Sequence, residues 1–180
     1  MTLIADTTVL SNFTHVQRPE LLRAECLEDI VTAAQVMEEI QRGVERHVLP
    51  LCDWQWLPVY TLNTPEEIRL FEQLNQRLGA GESACLALAM HRGFMVLTDD
   101  IDARRWGHHA EIPISGTIGL LVQLVQGRIL TVEEANSLLQ AMREHGYYAP
   151  ITRLEELLSS GVTKFSPDPL PREAYRHYCP

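Results

Sequence analysis

Acidic side chains crowd one stretch of this chain. Between Gly79 and Arg105, GAGESACLALAMHRGFMVLTDDIDARR, Glu82 sits at the start of a small-residue run, and Asp99, Asp100 and Asp102 follow an apolar one. The small residues predict a helix over 81–92, and Phe94–Thr98 a buried strand behind it. In an open α/β sheet the start of a crossover helix shares an edge with the C-terminal ends of the parallel strands, and such sheets place their sites at that edge. Glu82 and Asp100 can therefore meet although they are far apart in sequence.

Further acids fall at comparable positions. Leu3-Ile4-Ala5 predicts a buried strand that ends at Asp6, and TTVLSNF a helix after it, with Thr7 or Thr8 near its start. Ile30–Thr32 is a second short strand. The amphipathic helix Ala33–Arg46 follows, with Ala33, Val36, Met37, Ile40 and Val44 at helical spacing. Either Glu38 or Glu39, beside that stripe, can project toward a cleft. Each acid also has an ordinary use: Asp6 as a helix N-cap, the glutamates as solvated surface. Carboxylates that converge without cationic partners repel one another unless a cation neutralises them. Oxygen donors suit Mg²⁺ or Mn²⁺, and such a site activates water and stabilises charge on a phosphoryl oxygen.

The elements that must position these acids alternate. Pro19–Cys26 reads as a short helix. Leu57–Leu62 reads as a strand, and Pro58 near its start marks it as an edge. Thr64-Pro65-Glu66-Glu67 starts a helix that runs to about Leu78. Ile112–Ser115 is another strand, and Gly116-Thr117 opens an apolar helix that ends at Gly127. Thr131 and Glu134 form a capping box for a helix to Glu144, and Ile151–Ser160 is a last short helix. Strands separated by helices predict an α/β fold of three layers, α/β/α, with a mostly parallel central sheet of four or five strands and a helical C-terminal cap. Residues 1–160 form one domain in this reading. Prolines 167, 169, 171 and 180 mark 161–180 as an extended tail.

Composition narrows the chemistry. The chain has 180 residues, 46% of them hydrophobic, and a net charge of −9. That charge argues against a broad, non-specific DNA-binding surface. Every cationic residue except Lys164 is arginine, so GAGES is not a lysine-bearing phosphate loop and Schiff-base catalysis has no suitable amine. Cys26, Cys52, Cys85 and Cys179 are scattered, which predicts free thiols rather than a zinc site. Adjacent His108 and His109 face different directions on a helix and make a poor metal pair. A phosphatase with an aspartate nucleophile wants a second aspartate two residues on, where Asp6 has Thr8. No apolar run reaches the roughly 18 residues of a membrane span, and the N-terminus lacks a secretory pattern. A soluble cytoplasmic protein is expected, with no membrane partner.

Four segments in order, LIADTTVLSNF, VMEEI, GAGESACLALA and VLTDDIDAR followed by ISGTIGLL, resemble the PIN-domain ribonuclease superfamily in its prokaryotic, VapC-like branch of nucleic-acid-binding proteins. The resemblance spans about Leu3 to Leu158. It implies that Asp6, Glu39, Glu82 and Asp100 are the catalytic, metal-holding acids, with Asp99 and Asp102 as supplementary candidates. It sets Thr7, Ser11 and Thr117 at small polar positions beside metal water or phosphate. Arg104 or Arg105 would face substrate phosphate; surface ion pairing is their other use. The family's usual continuation after the fourth acid is replaced here by IDAR. The activity implied is a Mg- or Mn-dependent endonuclease acting on single-stranded RNA, often the toxin of a toxin–antitoxin pair and often a homodimer. The rival is a catalytically silent PIN-like module that binds nucleic acid or protein, which the net charge and the tail favour.

Overall fold

The computed structural model describes residues 1–158. The proposed tail, and the end of the last expected helix, lie outside them. Among the described residues five strands form one all-parallel sheet: β1 (Leu3–Ala5), β2 (Ile30–Ala33), β3 (Val59–Tyr60), β4 (Met95–Leu97) and β5 (Ile114–Ser115), in the order β3-β2-β1-β4-β5. Helices cover both faces, giving the three-layer α/β/α arrangement. The strands are short, and their residues are buried except on β3. This is the signature of parallel strands covered on both sides.

Strand order reverses direction at β1. The chain steps outward through β2 and β3, then returns to lay β4 and β5 on the other side of β1. The register sets Leu3, Ile4 and Ala5 beside Met95, Val96 and Leu97. Asp6 and the Thr98–Asp100 segment therefore leave adjacent strands at the same edge. Ligands of open α/β sheets bind at such a reversal, outside the strands' carboxyl ends.

Helices α1 (Thr7–His15), α2 (Ala34–Glu45), α5 (Ile101–His109) and α6 (Thr117–Gln126) each start within four residues of a strand end, so their N-termini collect at this edge. Helix α3 (Pro65–Leu74) leads by a short turn into α4 (Ala80–Arg92), which packs on β1, β2 and β4 and against α2, α3 and α5. Small residues explain the central position of α4: Ser83, Ala84, Cys85, Ala87 and Ala89 are all buried, so the helix can lie close on the sheet. Helix α7 (Val132–Glu144) packs on α1 and α6, and α8 (Glu155–Leu158) ends the described chain.

The expected elements are present, with shorter strands and earlier stops. Leu57–Leu62 contributes only Val59–Tyr60 to the sheet, at its edge. Helix α3 stops at Leu74 with Asn75 as C-cap, and a turn carries the chain through Leu78. Pro19–Arg23 is a 3₁₀ turn. Cys26, Cys52 and Cys85 are free thiols, and among the described residues no helix is long and apolar enough to cross a membrane.

Candidate active site

Asp6 leaves β1 fully buried and caps α1. Its Oδ1 accepts hydrogen bonds from the Val9 amide (3.1 Å) and the Thr8 hydroxyl (2.6 Å). Its Oδ2 is buried with no hydrogen-bond partner within 3.5 Å, the Thr98 hydroxyl standing nearby. Burial pushes the Asp6 pKa up to about 7. The Thr8 and Thr98 hydroxyls and the Val9 amide hold it back, and the charge of Asp99 adds to the rise. A bare carboxylate oxygen in a dry position is costly and needs a reason.

Glu39 bridges two elements at the same edge. Its Oε2 accepts from the Thr7 hydroxyl, and its Oε1 from the Gly81 amide at 2.9 Å. Glu38, beside it, is exposed. A Cβ on Gly81 would lie 2.6 Å from both Glu39 Oε2 and Thr7 Oγ1, so α4 can approach these two side chains only because position 81 has none. Glu82 occupies the third position of α4 and curls back toward its N-cap, Gly79, where a Cβ would collide with Oε2. That oxygen too is buried without a partner. Burial raises the Glu82 pKa, helped by the charges of Glu39 and Asp100 and opposed by helix-end amides. Directly beneath, the buried Cys85 thiol is pushed far up by burial and by the charges of Asp6, Glu82 and Glu39.

The two aspartates after β4 have different surroundings. Asp100 caps α5, its Oδ1 accepting from the Ala103 amide at 2.7 Å. Asp99 is absorbed in a hydrogen-bond network. Its Oδ1 accepts from the Thr117 amide (3.0 Å) and the Tyr147 hydroxyl (3.2 Å), and its Oδ2 from Asn12 Nδ2 (3.0 Å) and Thr117 Oγ1 (2.5 Å). Its own amide donates to Thr8 Oγ1 at 2.9 Å. Asp99 therefore joins α1, α6 and the segment after α7, and Thr117 belongs to that joint. Burial raises its pKa, against the Thr117 hydroxyl and the nearby Arg104. Asp102 is exposed and pairs with Arg105 at 3.1 Å. Arg104, one of the two arginines expected at substrate phosphate, is buried; its Nη1 donates to the carbonyls of Thr98 (2.6 Å) and Ser115 (3.0 Å), bracing the ends of β4 and β5. Ser11 is half-buried on α1.

A family model described as PIN domain matches residues 2–161. The chain belongs to the PIN-domain family. No curated protein and no solved structure matches it. PIN domains are typically nucleases; they act on nucleic acids and generally use divalent metal ions. The family match does not single out a branch.

Among the described residues of this PIN domain, no group of three or more His, Cys, Asp or Glu side chains is arranged to hold a metal ion as it stands. The donor chemistry nonetheless suits one. Asp6 Oδ2 and Glu82 Oε2 are bare carboxylate oxygens, and Mg²⁺ is commonly held by one or two carboxylates with waters completing its shell. Sequence reasoning did not pick out Thr8, Asn12 or Tyr147 as supports of this edge. Asn12 reads as one more polar residue in a mixed helix, and Tyr147 lies 48 residues from its partner Asp99. No local spacing could have joined them.

Proposed function

We propose that this PIN domain is a metal-dependent endoribonuclease that hydrolyses phosphodiester bonds of single-stranded RNA. Asp6, Glu39, Glu82 and Asp100 are its acids. The observation that carries the reading is the pair of buried carboxylate oxygens without partners, Asp6 Oδ2 and Glu82 Oε2, at the edge where the strand order reverses. Mg²⁺ or Mn²⁺ bound by these acids supplies charge neutralisation, Lewis-acid polarisation and an acidified water. Thr7 and the Gly81 amide hold both oxygens of Glu39, while Thr8 and the Val9 amide hold one oxygen of Asp6 and leave the other toward the metal. On the family resemblance alone, we also propose a role as the toxin of a toxin–antitoxin pair and a homodimeric state.

The test is cleavage of a labelled single-stranded RNA with Mg²⁺ or Mn²⁺, against EDTA. Asp100→Asn keeps an acceptor for the Ala103 amide, so the fold is expected to survive while cleavage falls at least 100-fold. A purified protein that cuts neither RNA nor single-stranded DNA with either metal would sink the hydrolase reading. RNA binding without turnover would favour the silent module, which the net charge of −9 also suits.

A further inference from the structure

A groove of about 620 Å³ runs between α3 with its following turn and α5. On one wall Asp102, Arg105, Trp106 and His109 recur at the spacing of a single helix face. On the other, Gln73 and Arg77 stand above a leucine floor. Both walls lead to acids of the candidate site. The α5 wall begins two residues after Asp100, and the opposite wall ends at Leu78, just before Gly79 and the helix that carries Glu82.

The groove carries more cationic than acidic side chains on an acidic protein. It combines Arg77, Arg105 and His109 with one acid, Asp102. A second cavity, by the start of β2, sets Glu25, Glu28 and Asp29 against Arg23. A third, along α7, balances Glu133 and Glu144 with Arg143 and Arg153. Arg77 and His109 are exposed and make no ion pair among the described residues. The Arg105–Asp102 pair is exposed, with 46% and 70% of the side chains accessible, and surface pairs of this kind are worth little. Trp106 is half-buried, packed on the core at one side and lining the groove at the other.

We propose that this groove is the track of the single-stranded polynucleotide, rather than a protein-docking cleft. Arg77 and Arg105 contact successive phosphates, and a base stacks on Trp106. From Asp102 to His109 the α5 wall is about 10 Å long at 1.5 Å per residue, room for about two nucleotides beside the scissile one. Cationic side chains with an aromatic platform are how proteins hold single strands without reading sequence. This placement rests on the hydrolase reading only for the identity of the site to which the groove leads.

The experiment is a titration of the full chain with fluorescent RNA and DNA ten-mers, single- and double-stranded, in EDTA so that binding is separated from cleavage. Arg77→Ala/Arg105→Ala should weaken single-strand binding at least tenfold and lower the slope of log K against log salt by about 1.4, the value for two phosphates on a single strand. Trp106→Leu keeps apolar bulk, and should weaken binding and remove most of the tryptophan quenching. Trp106→Phe should restore part of the affinity, which loss of packing alone would not do. Arg143→Ala/Arg153→Ala, in the balanced cavity, should bind as the parent does. Unchanged affinity in the groove variants, or equal binding of duplex, overturns the proposal even if the protein cuts RNA. A dimer that dissociates in the Trp106 variants while RNA affinity holds also overturns it, in favour of a second copy. Groove-dependent binding with no cleavage under any metal leaves the track standing and removes the hydrolase. RNA and DNA arms of equal affinity assign the track to either backbone; an RNA preference assigns it to the ribose.

Discussion

Glu39 is the acid whose position depends most on a neighbour's missing side chain. Its carboxylate is held by Thr7 and by the amide of Gly81, and a Cβ at 81 would lie 2.6 Å from the polar ends of both side chains. Those ends are the tips of side chains that can swing away, so Gly81→Ala would push Glu39 aside rather than break the fold. Alanine is also the better helix former by about 1 kcal/mol, which offsets the crowding. The expected outcome is a melting temperature within a few degrees of the parent and a cleavage rate lower by about 10- to 100-fold, since a displacement of about 1 Å in a catalytic group can cost that much. Rate and melting curve measured on one preparation decide it. A variant of parental activity would remove Glu39 from the acids that matter. Asp99 differs in kind from its neighbour. With four hydrogen bonds to its carboxylate it is a joint between helices, whereas Asp6 and Glu82 each keep one oxygen bare.

Helix α4 carries Glu82 at one end and is anchored at the other by Arg92. The Arg92 guanidinium meets Glu67 at 2.7 and 3.0 Å and also reaches the Thr61 carbonyl and Asn63. Glu67 is buried and closes the capping box of α3, accepting from the amides of Asn63 and Thr64. Arg92 first, against burial and with the two amides, lowers the Glu67 pKa to about 2 from an ordinary 4.5. A depressed carboxylate contributes stability that is whole above about pH 4.5 and is lost as pH falls through about 2. The shift corresponds to about 3 kcal/mol. Urea titrations between pH 2 and 6 should show that loss in the parent, while Glu67→Gln should be less stable at pH 6 and should converge on the parent as pH falls toward 2. Parallel curves would remove the ion pair as the anchor of α4. Much at this scale was legible: Thr64-Pro65-Glu66-Glu67 and Thr131 with Glu134 are capping boxes in sequence and in structure. Helix α5 was not fully legible, because IDARRWGHH has no apolar stripe and its start is set by Asp100 acting as N-cap. Strand length was overread at Leu57–Leu62 because hydrophobicity marks burial, whereas the ladder is limited by its partner, Thr32–Ala33. Which of Arg104 and Arg105 faces solvent was not legible, because sequence does not distinguish such an arginine from one bracing two carbonyls.

Across the whole molecule, the parallel sheet gathers acids from four separate segments at one edge, and the chain as a whole carries −9. Such an arrangement stores repulsion and buried charge that a divalent cation would relieve. Binding to the folded chain alone stabilises it by mass action, about 2.7 kcal/mol at one hundred times the dissociation constant. At about 2–4 °C per kcal/mol for a chain of this size, Mn²⁺ or Mg²⁺ should raise the melting temperature by about 5–10 °C. General screening of negative charge would also stabilise the protein, so monovalent salt of matched ionic strength is the control. Asp6→Asn separates the two effects. Removing the buried, half-paired charge should raise the melting temperature in EDTA above that of the parent, and the divalent increment should disappear while the response to monovalent salt remains. An equal divalent increment in parent and variant would assign the stabilisation to screening and take Asp6 out of the metal site. A higher start with no increment would show that the fold carries Asp6 for its chemistry, at some cost to its stability.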